Sequence, residues 1–346
     1  RLLHGAWRRA DGEGFASRRA SSEAAGRLRG IGISYYVEVC AGFGEDQPLL
    51  AFRDDGMLEL RVGTQSTGQG HETVFTQMLV SRLGVRPEQV QVRQGDTALL
   101  AMGAGTGGSR SLAVGGSAVA LTVDAMVAAG KRMAASLVEA DASDIDFVDG
   151  QFKVVGTDIV VPLAEVVAAS FDERRRVEGV LAGLESSETY SPAGGTFPNG
   201  CHVCEVEVDP ETGEIAIVAY VIQDDMGRIG NALLLEGQIV GGAVQGLSQA
   251  LIEEVVYEAD SAQLLTGSFM DYGVLRANQA PTMDVRFDCV PSPNNHLGVK
   301  GAGEAGTIGA PAAVVNAVLD ALRPAGVTSL DMPLTPHRVW QALRQA

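Results

Sequence analysis

The residue best placed to do chemistry is Glu304. It is the one carboxylate in residues 297–309, where glycines stand at 298, 301, 303, 306 and 309. Glycine lets backbone approach a ligand closely and take positive φ without strain. An alanine-rich helical pattern starts directly afterwards at Pro311, and a helix N-terminus offers unpaired N–H groups to a polar or anionic ligand. A carboxylate held on such a loop is how a general base is mounted. The same spacing also describes a glycine-rich turn carrying a solvated glutamate.

Three further glycine-rich segments precede helical patterns. They are Gly68-Gln69-Gly70-His71-Glu72-Thr73, the run from Gly103 through Gly107-Gly108-Ser109-Arg110-Ser111, and Gly237-Gln238 through Gln245-Gly246. None carries the Gly-Lys-Ser/Thr of a phosphate-binding P-loop. Gly103-Ala104-Gly105 lacks the apolar strand that a dinucleotide fingerprint needs. Several such loops together suit one large polar cofactor carrying phosphate, bound by backbone N–H groups. Any one of them alone is read first as close helix–sheet packing. Cys201-His202-Val203-Cys204 invites a metal reading, but no second pair follows at ligand spacing for zinc or an iron–sulfur cluster. On a strand the two cysteines point to opposite faces, so they are read as small buried thiols. His71 and His296 stand beside candidate loops, with cofactor contact and a capping or solvent role both open. His4, His202 and His337 carry no signal, and Lys300 is read as a surface lysine.

The elements that would position these residues follow from periodicity. Residues 1–29 form a polar, Arg- and Ala-rich helical lead-in with little core signal. Strand patterns cover 30–39, 49–53 and 57–63, the last two joined by the hairpin turn Asp54-Asp55-Gly56. Apolar spacings of three and four from Val74 to Leu83 give a helix stopped by Gly84. A short strand at 90–93, a long Ala- and Gly-rich helix over 112–140, and short strands around a helix at 163–169 come next. Strands are expected at 201–208 and 215–222, the latter so apolar that both faces should be buried. A helix ends near Glu254, another spans 312–322, and Leu334-Thr335-Pro336 starts a short terminal helix. The fold class is α+β, with mixed sheets, packed helices and glycine-rich loops gathered at one cleft.

Length and composition bound the rest. The chain has 346 residues and 46% apolar content, enough for a large core and against disorder. Its 26 Lys and Arg against 43 Asp and Glu give a net charge of −17, which repels nucleic acid and anionic membrane. The longest apolar run, around 118–129, is interrupted by Thr122 and Asp124, so no membrane span is expected. With no leader pattern and only four cysteines, a reducing cytoplasm is the expected location.

From about Gly30 onward the chain resembles the molybdenum hydroxylases, the xanthine oxidase, aldehyde oxidase and CO dehydrogenase family. The most specific match is Gly301-Ala302-Gly303-Glu304-Ala305-Gly306, which resembles the loop bearing that family's catalytic glutamate. Gly68-Gln69-Gly70-His71 resembles its Gly-Gln-Gly segment, in which the glutamine amide reads the pyranopterin. Gly107-Gly108-Ser109-Arg110-Ser111 resembles the segment that holds the pterin and its pyrophosphate. Gly237-Gln238 onward resembles a third cofactor-contacting segment. The resemblance implies molybdopterin with molybdenum, in bacterial members usually as the cytosine dinucleotide, bound by these residues together with Gly301 and Gly303. It also implies that Glu304 deprotonates a molybdenum-bound hydroxyl during hydroxylation of an aldehyde or N-heterocycle, or oxidation of CO. Electrons would pass to Fe–S and FAD centres on partner chains.

The sequence also departs from that pattern. The family's earlier half, with its Gly-Gly-Gly-Phe-Gly-Gly-like segment, an Arg-rich segment and the substrate-pocket loop, has no counterpart here. The expectation is therefore a C-terminal half, as a subunit or a fragment, inactive alone, partnered by the N-terminal half and by Fe–S and FAD subunits in a dimer of such complexes. In domain terms, residues 1–29 lead into one unit, 30–346, with subdomains at about 30–145 and 200–346 around an insertion at 146–199. Two other functions stay open. One is a structural subunit that completes a fold and dimer interface without a cofactor. The other is a nucleotide-binding enzyme using the Gly103–Ser111 loop.

Overall fold

The computed structural model describes residues 1–100 and 102–346. In chain order the regular elements are α1 (Leu2–Arg9), α2 (Phe15–Ala24), β1 (Leu28–Val37), β2 (Leu49–Phe52), β3 (Leu58–Val62), α3 (His71–Leu83) and β4 (Val90–Gln94). A π-helical turn, Ser111–Gly116, runs into α4 (Ser117–Val138), followed by β5 (Ile145–Val148), β6 (Gln151–Val154), β7 (Val160–Pro162), α5 (Leu163–Phe171) and β8 (Ser186–Ser187). The remainder comprises β9 (Asn199–Val208), β10 (Ile215–Asp225), α6 (Ala232–Leu251), β11 (Met283–Phe287), α7 (Ala305–Leu322) and α8 (Pro336–Gln345). The chain divides into two compact units, the first made of 1–39, 197–291 and 302–346, the second of 40–196 and 292–301.

The first unit is a four-stranded sheet in the order β1-β9-β10-β11, with β10 and β11 parallel and the other pairs antiparallel. Strand β9 is buried on both faces because alternate side chains meet different layers. Cys201 and Val203 pack with Leu2 and Ala6 of α1. Cys204, Val206 and Val208 join the larger core with Ala313, Ala317 and Ala321 of α7. The two cysteines of the Cys-x-x-Cys thus lie on opposite faces, as read from the sequence. The lead-in carries more core than its polar composition suggests, because α1 and α2 cover one side of this sheet. Beneath α2 the buried Glu205 is met by Arg18 and Arg29, both at 3.1 Å. Strand β10 corrects one expectation. Ala216 and Val218 in its first half are exposed, and continuous burial begins only at Tyr220, since only that half is covered.

The second unit holds a sheet in the order β4-β3-β2-β8 and a small antiparallel sheet, β5-β6-β7. The expected β2–β3 hairpin forms, Leu50 opposite Leu60, and β4 adds parallel to β3. Helix α3 ends at Gly84 with φ +68°, the left-handed stop that glycine supplies. The core joins Leu50, Leu58, Leu60, Phe75, Leu79, Met126 and Met133. Two helical stretches, 111–138 and 305–325, are long and apolar enough to cross a membrane, against the sequence expectation. Their most apolar windows are 67% and 56% buried inside the protein, as befits core helices.

Two glycine-rich segments are not loops. Residues 237–246 lie inside α6, and the stretch after Glu304 is already helical, with Pro311 inside α7. The reason is helix–helix approach. A Cβ on Gly306 would lie 2.2 Å from the Ile239 carbonyl oxygen, and one on Gly246 would lie 2.9 Å from both Ala310 and Pro311. These glycines let α6 and α7 pack backbone to backbone, with Pro311 of α7 against Gly246 of α6.

Candidate functional site

Each unit carries part of the predicted set. In the first unit Glu304 is the N-cap residue of α7, solvent-exposed, and its carbonyl accepts from the N–H groups of Thr307 at 3.1 Å and Ile308 at 3.2 Å. Gly303 precedes it, also exposed. Glu304 therefore stands at the positive end of an 18-residue helix dipole. Its carboxyl is hydrogen bonded to that of Glu38, just beyond β1. Burial first, and then the charge and hydrogen bond of Glu304, push Glu38 up to about 7. Gln238 is half-buried on α6, one residue before the Ile239 carbonyl that Gly306 packs against. Gly237 and Gly241 on the same helix face open space.

In the second unit three predicted segments come together. The loop before α3 and the loop before the π-helical turn run side by side, with Gly63 and Gly103 in backbone contact and the Gly105 N–H donating to the Gly63 carbonyl at 2.9 Å. The Gln65 N–H donates to Thr106 Oγ1 at 3.0 Å, and that hydroxyl meets Ser111 Oγ at 3.0 Å. Gly301 joins them, because a Cβ there would lie 2.4 Å from the Ser109 carbonyl and 2.5 Å from Cys40 Sγ. Ser109 holds φ +54°, a left-handed conformation rare outside glycine. Gly108 also has positive φ, whereas Gly107 faces open space.

The named side chains do different work from their backbones. Gln69 turns its amide onto its own loop, Nε2 donating to the Gln65 carbonyl at 3.2 Å and Oε1 accepting from the Thr67 N–H at 2.5 Å. Arg110 is fully buried, its guanidinium 3.1 Å from the buried Asp46 and donating to the carbonyls of Gly105 and Glu45. Burial raises Asp46 while Arg110 opposes that rise. Gly70, with φ +79°, caps α3, and His71 behind it is buried on Phe75, its Nδ1 3.3 Å from Gln94 Oε1. Burial lowers His71 and holds it neutral. His296 is exposed, its ring edge-on to Tyr190, and Lys300 is half-buried, not a surface lysine.

Sequence reasoning missed several residues. Gln94 ends β4, and its Nε2 is buried without a partner, a donor aimed beside the start of α3. Glu38 had no motif to mark it. His202, passed over as silent, is fully buried with Nδ1 2.9 Å from Tyr220 Oη and Nε2 3.9 Å from Asp224 Oδ1. Burial lowers His202 to about 3 and raises Asp224 to about 8, so this contact joins two neutral groups, not an ion pair. Among the described residues no group of three His, Cys, Asp or Glu side chains could hold a metal ion.

Within the second unit, the open face of Gly107, the orphaned Gln94 amide donor and the paired helix N-termini fit a large polar ligand held largely by backbone, the pattern of a cofactor-binding domain. Comparison with known proteins specifies which: the chain belongs to the molybdopterin cofactor-binding domain family, matched over residues 7–281. It is similar to the carbon monoxide dehydrogenase large chain of Hydrogenophaga pseudoflava, 33% identical over 95% of this chain and 42% of that one. It is also similar to the 6-hydroxypseudooxynicotine dehydrogenase complex subunit gamma of Paenarthrobacter nicotinovorans, 36% identical over 91% of this chain and 40% of that one. Among solved structures, quinoline 2-oxidoreductase from Pseudomonas putida 86 superposes with a TM-score of 0.91 at 32% identity, covering 99% of this chain and 45% of that one. The chain spans about two fifths of the length of the curated relatives it matches. Its architecture is the α+β arrangement of mixed sheets and packed helices found in those large subunits.

Proposed function

We propose that this chain is the C-terminal, cofactor-holding and base-bearing part of a molybdenum hydroxylase, an oxidoreductase acting on an aldehyde, an N-heterocycle or CO. The observation that carries the reading is Glu304, an exposed carboxylate at the N-terminus of α7 with its carboxyl engaged by a second one. When bound, molybdopterin, in its cytosine dinucleotide form, supplies the metal and the two-electron redox chemistry. This chain's residues hold it through backbone: Gly68 to His71 at the head of α3, Gly107 to Ser111 with Thr106 at the head of the π-helical turn, and Gly301, Gly303 and Gln238. The inward commitment of the Gln69 amide and the Arg110 guanidinium supports this, because both make loop backbone rigid instead of reaching outward. The unpartnered Gln94 Nε2 is a further donor for the group. Glu304 accepts the proton of the reacting hydroxyl as general base, a role worth about 10²–10⁴-fold in rate.

An N-terminal half, an Fe–S subunit and an FAD subunit complete the proposed assembly, in the cytoplasm and as a dimer of complexes. The test is molybdenum content and the mass of every co-purifying chain in material from the native source. Near-stoichiometric molybdenum, with a partner bearing the missing half, supports the reading. A lone chain without molybdenum overturns it in favour of a structural role.

A further inference from the structure

Glu38 follows the end of β1, where its N–H donates to the Pro198 carbonyl at 3.0 Å and ties it to the strand leading into β9. Its side chain is half-buried, and Oε2 is fully enclosed without a partner of its own. The rest of the carboxyl is committed to Glu304 by a hydrogen bond between the two carboxyls. Two carboxylates cannot share a hydrogen bond unless one carries the proton, so the pair is singly protonated as a unit. The titratable group acting on Glu38 is Glu304 at the head of α7; the charge of Glu38 acts in turn on the Tyr36 hydroxyl of β1, which also lies under the field of Asp224 on β10.

We propose that Glu38 is a positioning residue for Glu304, donating its proton to the Glu304 carboxylate and so fixing the direction in which the base faces. The inference rests on the reading of Glu304 as the base. The contrast in exposure supports it: Glu304 is open to a reacting group, while Glu38 is held behind it on a strand end. While Glu38 is protonated its hydrogen bond holds the Glu304 carboxyl in place. Once Glu38 ionises, that donor is lost and the two carboxylates repel. The dyad then has two activity levels, divided near pH 7.

The test has a spectroscopic and a kinetic arm. The full chain, labelled with 13C at glutamate so that Asp224 stays silent, is titrated by infrared spectroscopy of the protonated-carboxyl stretch. Wild type should lose one such band around pH 7. Glu38→Gln should abolish that step, and Glu304→Gln should move it to lower pH, since both the opposing charge and the shared hydrogen bond are gone. In the assembled enzyme, the wild-type kcat/KM profile should change level around pH 7 and the Glu38→Gln profile should be flat there. Glu38→Ala, lacking the donor, should show across this range the level that wild type reaches above pH 7. Unchanged melting temperatures across the variants keep the comparison free of unfolding. Persistence of the infrared step in Glu38→Gln, or its failure to move in Glu304→Gln, overturns the pairing. Full turnover in Glu304→Gln overturns the base assignment and with it the role of Glu38, whatever the infrared result.

Discussion

Substituting Gly306 by Ala separates the two meanings a glycine can have here. The new Cβ would sit 2.2 Å from the Ile239 carbonyl oxygen and 2.7 Å from the Ala243 nitrogen, where ordinary contact begins at 3.4 Å. Both atoms are backbone of α6, so neither can swing aside. Helices α6 and α7 must separate locally by about an ångström, and overpacking of this kind costs about 1–3 kcal/mol. Helix propensity returns at most about 1 kcal/mol for Gly→Ala. The rigid partner places the clash at the upper end, so the net loss is about 1–2 kcal/mol. Gly241, on the same α6, faces open space, so Gly241→Ala should instead gain about 0.5–1 kcal/mol. Urea unfolding followed by far-UV circular dichroism and tryptophan fluorescence measures the difference. If Gly306→Ala proves as stabilising as Gly241→Ala, the account of these glycines as packing residues is wrong.

Further outcomes follow from the buried charges. Arg110→Met should cost about 3–5 kcal/mol by stranding the buried Asp46, and Asp46→Leu added to it should recover most of that; a double variant as unstable as the single one would refute the pairing. Asp224 is raised to about 8, so its native proton favours the fold at low pH and this contribution is lost as pH rises through 8. His202 is lowered from 6.5 to about 3, so the unfolded chain binds the extra proton between those values and stability rises with pH there. The two slopes cancel between about pH 4 and 6.5, and from 6.5 to 8 Asp224 should remove about 2 kcal/mol. Glu38 adds to the fall as far as about 7. Asp224→Asn should flatten the upper part of this decline in urea unfolding, and a slope unchanged by the substitution would contradict the assignment.

The local fold was legible wherever backbone chemistry announces itself. Asp54-Asp55-Gly56 turned the β2–β3 hairpin and Gly84 stopped α3, because positive φ favours glycine and turn residues. The thiols of Cys201 and Cys204 were placed correctly by the period of a strand. What failed was long-range. Glycines at 242, 246 and 306 read as loop signals, yet they mark a tertiary contact whose partner lies far along the chain. Pro311 read as a helix start, yet it lies inside α7, packed against Gly246. In the candidate site, Glu304 was visible through its flanking glycines. Glu38, Gln94 and the His202–Tyr220–Asp224 group were not, since each is defined by a neighbour more than fifteen residues away and none sits in a motif.

The central claim is that Glu304 is the base of a molybdenum-dependent hydroxylation. The decisive measurement is steady-state turnover of the assembled complex carrying Glu304→Gln, with molybdenum quantified in the same preparation. Loss of kcat by about 10²–10⁴-fold at unchanged molybdenum is the predicted result. Wild-type turnover at full molybdenum occupancy would contradict it.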